Sequence, residues 1–188
     1  MPARTRQTFN LGAIIPDEYS VSTTVSADVP VVAERAMYWD NRTGGHDSLG
    51  VNVPSDTWYL AEGSTGGTFE TWVLVQNPGN TDAKVTLTFQ TPGGEQPGPQ
   101  AVLPARTRQT FNLGEVLPGV DSISTTVSAD VPVVAERAMY WDNRTGGHDS
   151  LGVNVPAFNW YLAEGSTGGT FETWVLVQNP GDTDANVN

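Results

Sequence analysis

Residues 22–54 read STTVSADVPVVAERAMYWDNRTGGHDSLGVNVP, and residues 124–156 repeat them without a single change, 102 positions later. That spacing is a domain length, so the chain is built from near-copies of one unit. Within the second copy, Ile123, Thr125, Val127 and Ala129 alternate to one side, the period of a half-buried strand. Asp130 and Pro132 are expected to break that strand, and Val133–Trp141 is the longest strand candidate. AERAM alone is good helix material, but β-branched Val131, Val133 and Val134 before it and Tyr140 and Trp141 after it favour a strand. Asp142–His148 then reads as a Gly-Gly loop, and Leu151–Val155 closes the unit.

Working outward, pairing each residue from Pro2 onward with the one 102 later gives 85 pairs, of which thirteen differ. The differences gather at Ala13–Val21, at Ser55–Thr57 and near Asn80–Thr86, stretches with the Pro, Asp and Gly content of loops and turns. On this alignment residues 1–57 are the rear half of a unit, 58–159 a complete unit, and 160–188 the front half of a further unit, complementary to 1–57. Counterparts of Leu87–Val102 are missing from the two halves. An isolated half would expose strand edges and apolar faces, so the halves are expected to be completed by neighbouring chains or by a longer array.

The rest of the complete unit is strand-like as well. Trp58–Glu62 opens it, and Phe69–Gln76 (FETWVLVQ) stops at the turn Asn77-Pro78-Gly79. Lys84–Gln90 alternates Val85, Leu87 and Phe89 against Thr86, Thr88 and Gln90, and Ala101–Leu113 reads as extended. No convincing helical stripe is present. About seven strands in about 100 residues is the pattern of an antiparallel β-sandwich, so the expected fold is all-β, a tandem array of Ig-like sandwich repeats of 102 residues.

A formal net charge of −12 and a pI near 4.3 argue against nucleic acid and anionic lipid as partners. The absence of cysteine removes disulfides, thiolate catalysis and thiolate metal sites. No apolar run is long enough to span a membrane as a helix.

Candidate ligand residues gather in the loop that recurs in both copies: Asp40, His46 and Asp47, and again Asp142, His148 and Asp149. Ser, His and Asp adjacent in sequence have the wrong geometry for a catalytic triad, whose base must face the nucleophile with its carboxylate behind. No nucleophile elbow accompanies them, so no enzyme activity is expected. Calcium is the one cofactor considered, through Asp40, Asn41 and Asp47 or Asp142, Asn143 and Asp149, although the spacing fits neither an EF-hand nor a nonapeptide repeat. Turn carboxylates capping backbone amides explain the same acids. Glu34-Arg35 and Glu136-Arg137 point to opposite faces of their strands. Each is expected to pair across strands, with equivalents of Arg4 or Glu70. Trp39, Trp72 and their copies are expected in the core, with Tyr38 and Tyr59 on the opposite faces.

WYLAEGSTGGTFETWVLVQNPGNTDAKVTLTF, followed by LPARTRQTFNLG, TTVSADVPVVAERAMYW and GGHDSLG, resembles an uncharacterised family of bacterial Ig-like repeats found in large exported or cell-surface proteins. The resemblance implies fold and an extracellular location, not chemistry. Joined by linkers as short as Val53–Thr57, such units make a semi-rigid rod or filament whose partner is itself, head to tail. The alternative is a surface adhesion or carbohydrate-binding module that takes a glycan, stiffened by calcium.

Overall fold

The computed structural model describes all residues, 1–188. Nine strands form: β1 (Glu34–Trp39), β2 (Gly44–Leu49), β3 (Ser55–Leu60), β4 (Glu70–Gln76), β5 (Ala83–Thr91), β6 (Gly94–Leu103), β7 (Arg108–Asn112), β8 (Ser124–Trp141) and β9 (Gly146–Leu151). One turn of α-helix, α1 (Leu113–Val116), is capped by the Asn112 side chain, and 3-10 turns lie at Leu11–Ala13 and Asp40–Arg42. The protein is all-β and antiparallel throughout.

One strand organises the fold. The first part of β8 pairs with β3 on one side and β5 on the other, and β6 continues from β5. The second part pairs with β4 and β9, and β7 continues from β4. The β6–β5–β8–β3 portion is a curled half-barrel. The expected break at Asp130 and Pro132 does not occur, since β8 runs unbroken for 18 residues. The reason lies in its partners: the ladder with β5 ends at Ala129 and the ladder with β4 begins at Val134. A proline between the two removes a donor that neither ladder uses.

Alternation decides which side chains go inside. Val85, Leu87 and Phe89 of β5, Val73 and Val75 of β4, and Val127, Val133 and Ala135 of β8 form a buried core with Trp58, Leu60, Leu103, Phe111, Leu113 and Ile123. Several details depart from expectation. Ala101–Leu113 is not one extended segment: a turn at Pro104–Thr107, with Arg106 at φ 59°, separates β6 from β7. Gly94–Gln100 of β6 (Gly94–Leu103, GEQPGPQAVL) lies outside the expected strands, and its two prolines argue against a central strand. It is an edge strand bonded only to β5, where a missing donor is tolerated. Strand β3 starts at Ser55, so Ser55–Thr57, expected as part of a linker, is strand.

Outside Ser55–Val153 the only strands are β1 and β2, which pair with each other alone. Their register, Glu34↔Leu49 to Trp39↔Gly44, is that of β8 and β9 shifted by one repeat. Residues 160–188 hold no strand, yet keep local hydrogen bonds of the complete unit. Thr173 Oγ1 donates to the Ser166 carbonyl at 2.7 Å, as Thr71 does to Ser64 at 2.6 Å.

Candidate functional site: an ion cluster between the two hairpin copies

Register sorts the β4–β7–β8–β9 sheet into two faces. Val73, Val75, Ala135, Arg137, Met139, His148 and Trp141 share the inner one, whereas Trp72, Leu74, Glu136, Ala138, Tyr140 and Asp149 share the outer one. Glu136 and Arg137 therefore face opposite ways, as expected, but their partners differ from those expected. On the inner face Arg137 is buried and its Nη2 lies 2.8 Å from Oε2 of Glu62, two residues beyond the end of β3. Its Nη1 donates to His148 Nδ1 at 2.8 Å. Burial first, then the Arg137 charge, holds the His148 imidazolium down, so the ring is the neutral acceptor this geometry needs. Burial also lowers Arg137, against the opposing pull of Glu62.

The outer face carries the candidate site, and it joins the two copies. The β1–β2 hairpin lies on it with its own inner face, the one bearing Arg35, Trp39 and His46. Arg35 pairs with both Glu136 and Asp149. His46 Nδ1 sits 2.7 Å from Asp149 Oδ1, and its Nε2 is 3.1 Å from the Tyr140 hydroxyl. Arg35 Nη1 also lies 3.0 Å from His46 Nδ1, so that nitrogen faces both a guanidinium donor and the Asp149 carboxylate. Trp39 packs edge-on against Tyr140, with centroids 5.4 Å apart, and its Nε1 donates to the Arg144 carbonyl at 2.6 Å.

The electrostatics of the cluster are those of a clamp. Glu136 is pushed up to about 7, mostly by burial and next by its hydrogen bond with Asp149. Burial also opposes ionisation of Asp149, but hydrogen bonds with His46 and Glu136 and the Arg35 charge outweigh it and hold that carboxyl well below its ordinary range. Arg35 loses to burial and gains more from the two carboxylates, ending raised. Burial raises Tyr140, so its phenol stays protonated and is a hydrogen-bond donor rather than a nucleophile.

The predicted loop residues divide between several environments. Asp40, Asn41 and Arg42 form an exposed turn with three successive left-handed residues (φ 49°, 54° and 70°), and Asp142, Asn143 and Arg144 repeat it. Asp142 accepts from Thr68 Oγ1 at 2.7 Å, whereas Asp149 lies farther along β9 within the cluster. The acids of each copy are thus strung along a hairpin rather than gathered round one point. Asp47 is exposed on β2, His46 is in the cluster and His148 is at Arg137. Trp72 is an outer-face residue beneath the Arg144 guanidinium, 5.8 Å from its ring centroid, and Arg144 also pairs with Glu70. The deeply buried tryptophan is Trp58, whose Nε1 donates to the Val133 carbonyl at 2.9 Å.

Sequence reasoning missed Glu62, Tyr140 and the meeting of Arg35 with Glu136. One signal for Glu62 was present: a charge that follows the apolar run WYLA and recurs unchanged at Glu164.

Several solved structures are similar to part of the chain, and two show the extent of the likeness. Thermotoga maritima 1070 aligns with a TM-score of 0.49 and 16% identity, over 55% of this chain and 96% of that one. The Anabaena sensory rhodopsin transducer aligns with a TM-score of 0.41 and 21% identity, over 47% of this chain and 99% of that one. Neither likeness is close enough to carry an argument about function. No functionally curated protein matches the chain. No helix is long and apolar enough to cross a membrane. A family match does cover residues 1–153, and by it the chain belongs to the family of unknown function DUF5719.

Proposed function

We propose that the chain is a non-enzymatic structural repeat, part of a semi-rigid extracellular rod or filament of tandem Ig-like β-sandwich units. The observation that carries this reading is the short connection between successive units. Only Gly50–Pro54 separates β2 from β3, too little chain to let successive units turn freely. The polar residues fit the same reading, because Glu62–Arg137, Asp142–Thr68 and Glu70–Arg144 all serve to hold the unit together. Placement at the cell surface rests on the resemblance to exported repeat arrays.

Electron microscopy of a longer chain carrying several of these repeats tests the proposal. Straight particles with a constant repeat spacing are expected; beads with no preferred angle between neighbours would reject it.

A second reading, glycan binding, draws on one feature. The outer face of β1–β2 forms a shallow depression of about 350 Å³ whose lining includes Glu34, Tyr38, Arg42 and Asp47. An exposed tyrosine flanked by carboxylates is suited to a sugar ring. Titration with soluble peptidoglycan fragments or polysaccharide, followed by tyrosine and tryptophan emission, decides it: saturable quenching supports binding, and a flat titration removes it.

A further inference from the structure

The chain carries one surface twice, and on one of the two copies an arginine is seated. The outer face of the β8–β9 hairpin presents Glu136, Tyr140 and Asp149, and that of β1–β2 presents the identical set Glu34, Tyr38 and Asp47 in the same register. On the first, Arg35 lies against both carboxylates and Trp39 packs edge-on against Tyr140. Arg35 and Trp39 are four residues apart on β1 and so share a face, and Glu136 and Tyr140 are four apart on β8. The contact therefore has two points: an acidic end that takes a guanidinium, and a ring that takes an aromatic side chain.

The second face exposes the same parts. Neither Glu34 nor Asp47 takes part in an ion pair, and Tyr38 is 63% exposed. The ring is already placed. A Cβ on Gly45 would lie 2.6 Å from Tyr38 Cδ1, and a Cβ on Gly147 2.6 Å from Tyr140 Cδ1. Glycine thus lets each tyrosine lie across the neighbouring strand, in one pose with an aromatic partner and without it. The arginine at the hairpin tip does not belong to the acidic end. Arg144 sits 5.7 Å from the Tyr140 ring centroid and pairs with Glu70, leaving both carboxylates to Arg35, and Arg42 is its copy. The face is also free of the unit's own strands, because Val73, Val75 and Ala135 put the core on the other side of the sheet.

We propose that Glu34, Asp47 and Tyr38 form a receptor for an extended segment of a basic partner protein, one that carries an arginine and, four residues on, an aromatic side chain. Arginine is favoured over lysine by the way Arg35 divides its donors. Its Nη2 meets both carboxylates while its Nη1 faces His46 Nδ1 at 3.0 Å, an arrangement a compact ammonium does not reproduce. The net charge of −12 favours a basic partner. The depression that suits a sugar ring takes a peptide instead, because an arginine and an indole occupy its copy. The receptor requires no particular arrangement of successive units and is independent of the rod.

The full chain, labelled with nitrogen-15, is titrated with the acetylated, amidated hexapeptide Ser-Arg-Thr-Thr-Thr-Trp and followed by amide chemical shifts. Saturable shifts are expected at Gly45, Asp47 and their neighbours. Asp47→Asn should weaken binding at least about fivefold, and lysine in place of the peptide's arginine at least about threefold. Tyr38→Ala, and a peptide with alanine in place of tryptophan, should each weaken it about threefold. Glu95→Gln removes an exposed carboxylate on β6 and should leave the affinity within about twofold, which separates this site from general attraction to an acidic surface. Amide spectra unchanged away from the hairpin show that the variants are folded. The proposal is overturned by the absence of saturable shifts at the hairpin, by shifts scattered over the acidic surface, or by equal binding of the lysine peptide and of the Asp47→Asn chain. A soluble peptidoglycan fragment that moves the Gly45 and Asp47 amides where the peptide does not would overturn it in favour of glycan.

Discussion

Replacing Glu62 with alanine strands the Arg137 guanidinium inside the unit. Arg137 is 5% exposed, and apart from Glu62 its side chain has only the neutral His148 ring as a polar partner. Breaking a buried pair by removing one member costs about 3–5 kcal/mol. The Glu62 side chain is 22% exposed, so water enters where the carboxylate stood, and the lower end, about 3 kcal/mol, applies. For a unit of roughly 100 residues, with a total stability of about 5–15 kcal/mol, that is a large fraction. It corresponds to a fall in Tm of about 12–20 °C. Urea and thermal unfolding followed by far-UV circular dichroism measure it. Glu164→Ala is the matched control: its flanking sequence is the same, WYLAEGSTGG, but the side chain is exposed. It should change stability by less than about 0.5 kcal/mol. The reasoning fails if Glu62→Ala costs under about 1 kcal/mol, or if the two variants behave alike.

Further outcomes are expected at four other positions. Glu136 is raised to about 7, so between its ordinary value and neutrality the folded protein binds a proton that the unfolded chain does not. Its contribution to stability is therefore full in acid and is lost as pH rises towards 7; Glu136→Gln should flatten the stability profile over that window, and an unchanged slope would contradict the assignment. Asp149 acts in the opposite sense, its contribution being lost only in acid below the ordinary carboxylate range. A Cβ on Gly146 would lie 2.3 Å from the Trp141 ring, so Gly146→Ala should expel the indole and cost about 1–3 kcal/mol in urea unfolding. Leu87→Ala, at a fully buried position in the half-barrel, should cost about 2–5 kcal/mol.

Much of the fold was legible because alternation is a local signal. The buried rows Val85, Leu87, Phe89 and Val73, Val75 follow directly from the period of two. What escaped were features set by a partner strand. The two prolines of β6 argue against a strand until the strand is found at an edge, and Pro132 argues for a break until the change of partners around it is known. Parity told that Trp72 and Val73 face opposite ways, but not which face is the core. For the candidate site, the sequence supplied His46, Asp149 and the opposed Glu-Arg pair. It did not show that a histidine of one copy would meet a carboxylate of the other, since no local pattern encodes a contact between residues about a hundred positions apart.

The repeated stretch with which the sequence opens marks the boundary. By itself, Ser22–Pro54 determined the repeat length, the strand pattern and the hairpin register, because those depend on neighbours along the chain, and its copy reproduces the β1–β2 register in β8–β9. It determined nothing about environment. Arg35 and Arg137 have identical flanks, yet one pairs with Glu136 and Asp149 on an outer face and the other with Glu62 on the inner face. Only tertiary structure decides between them, because burial and charge pairing are set by which surface arrives opposite a side chain, and that surface lies elsewhere in the sequence.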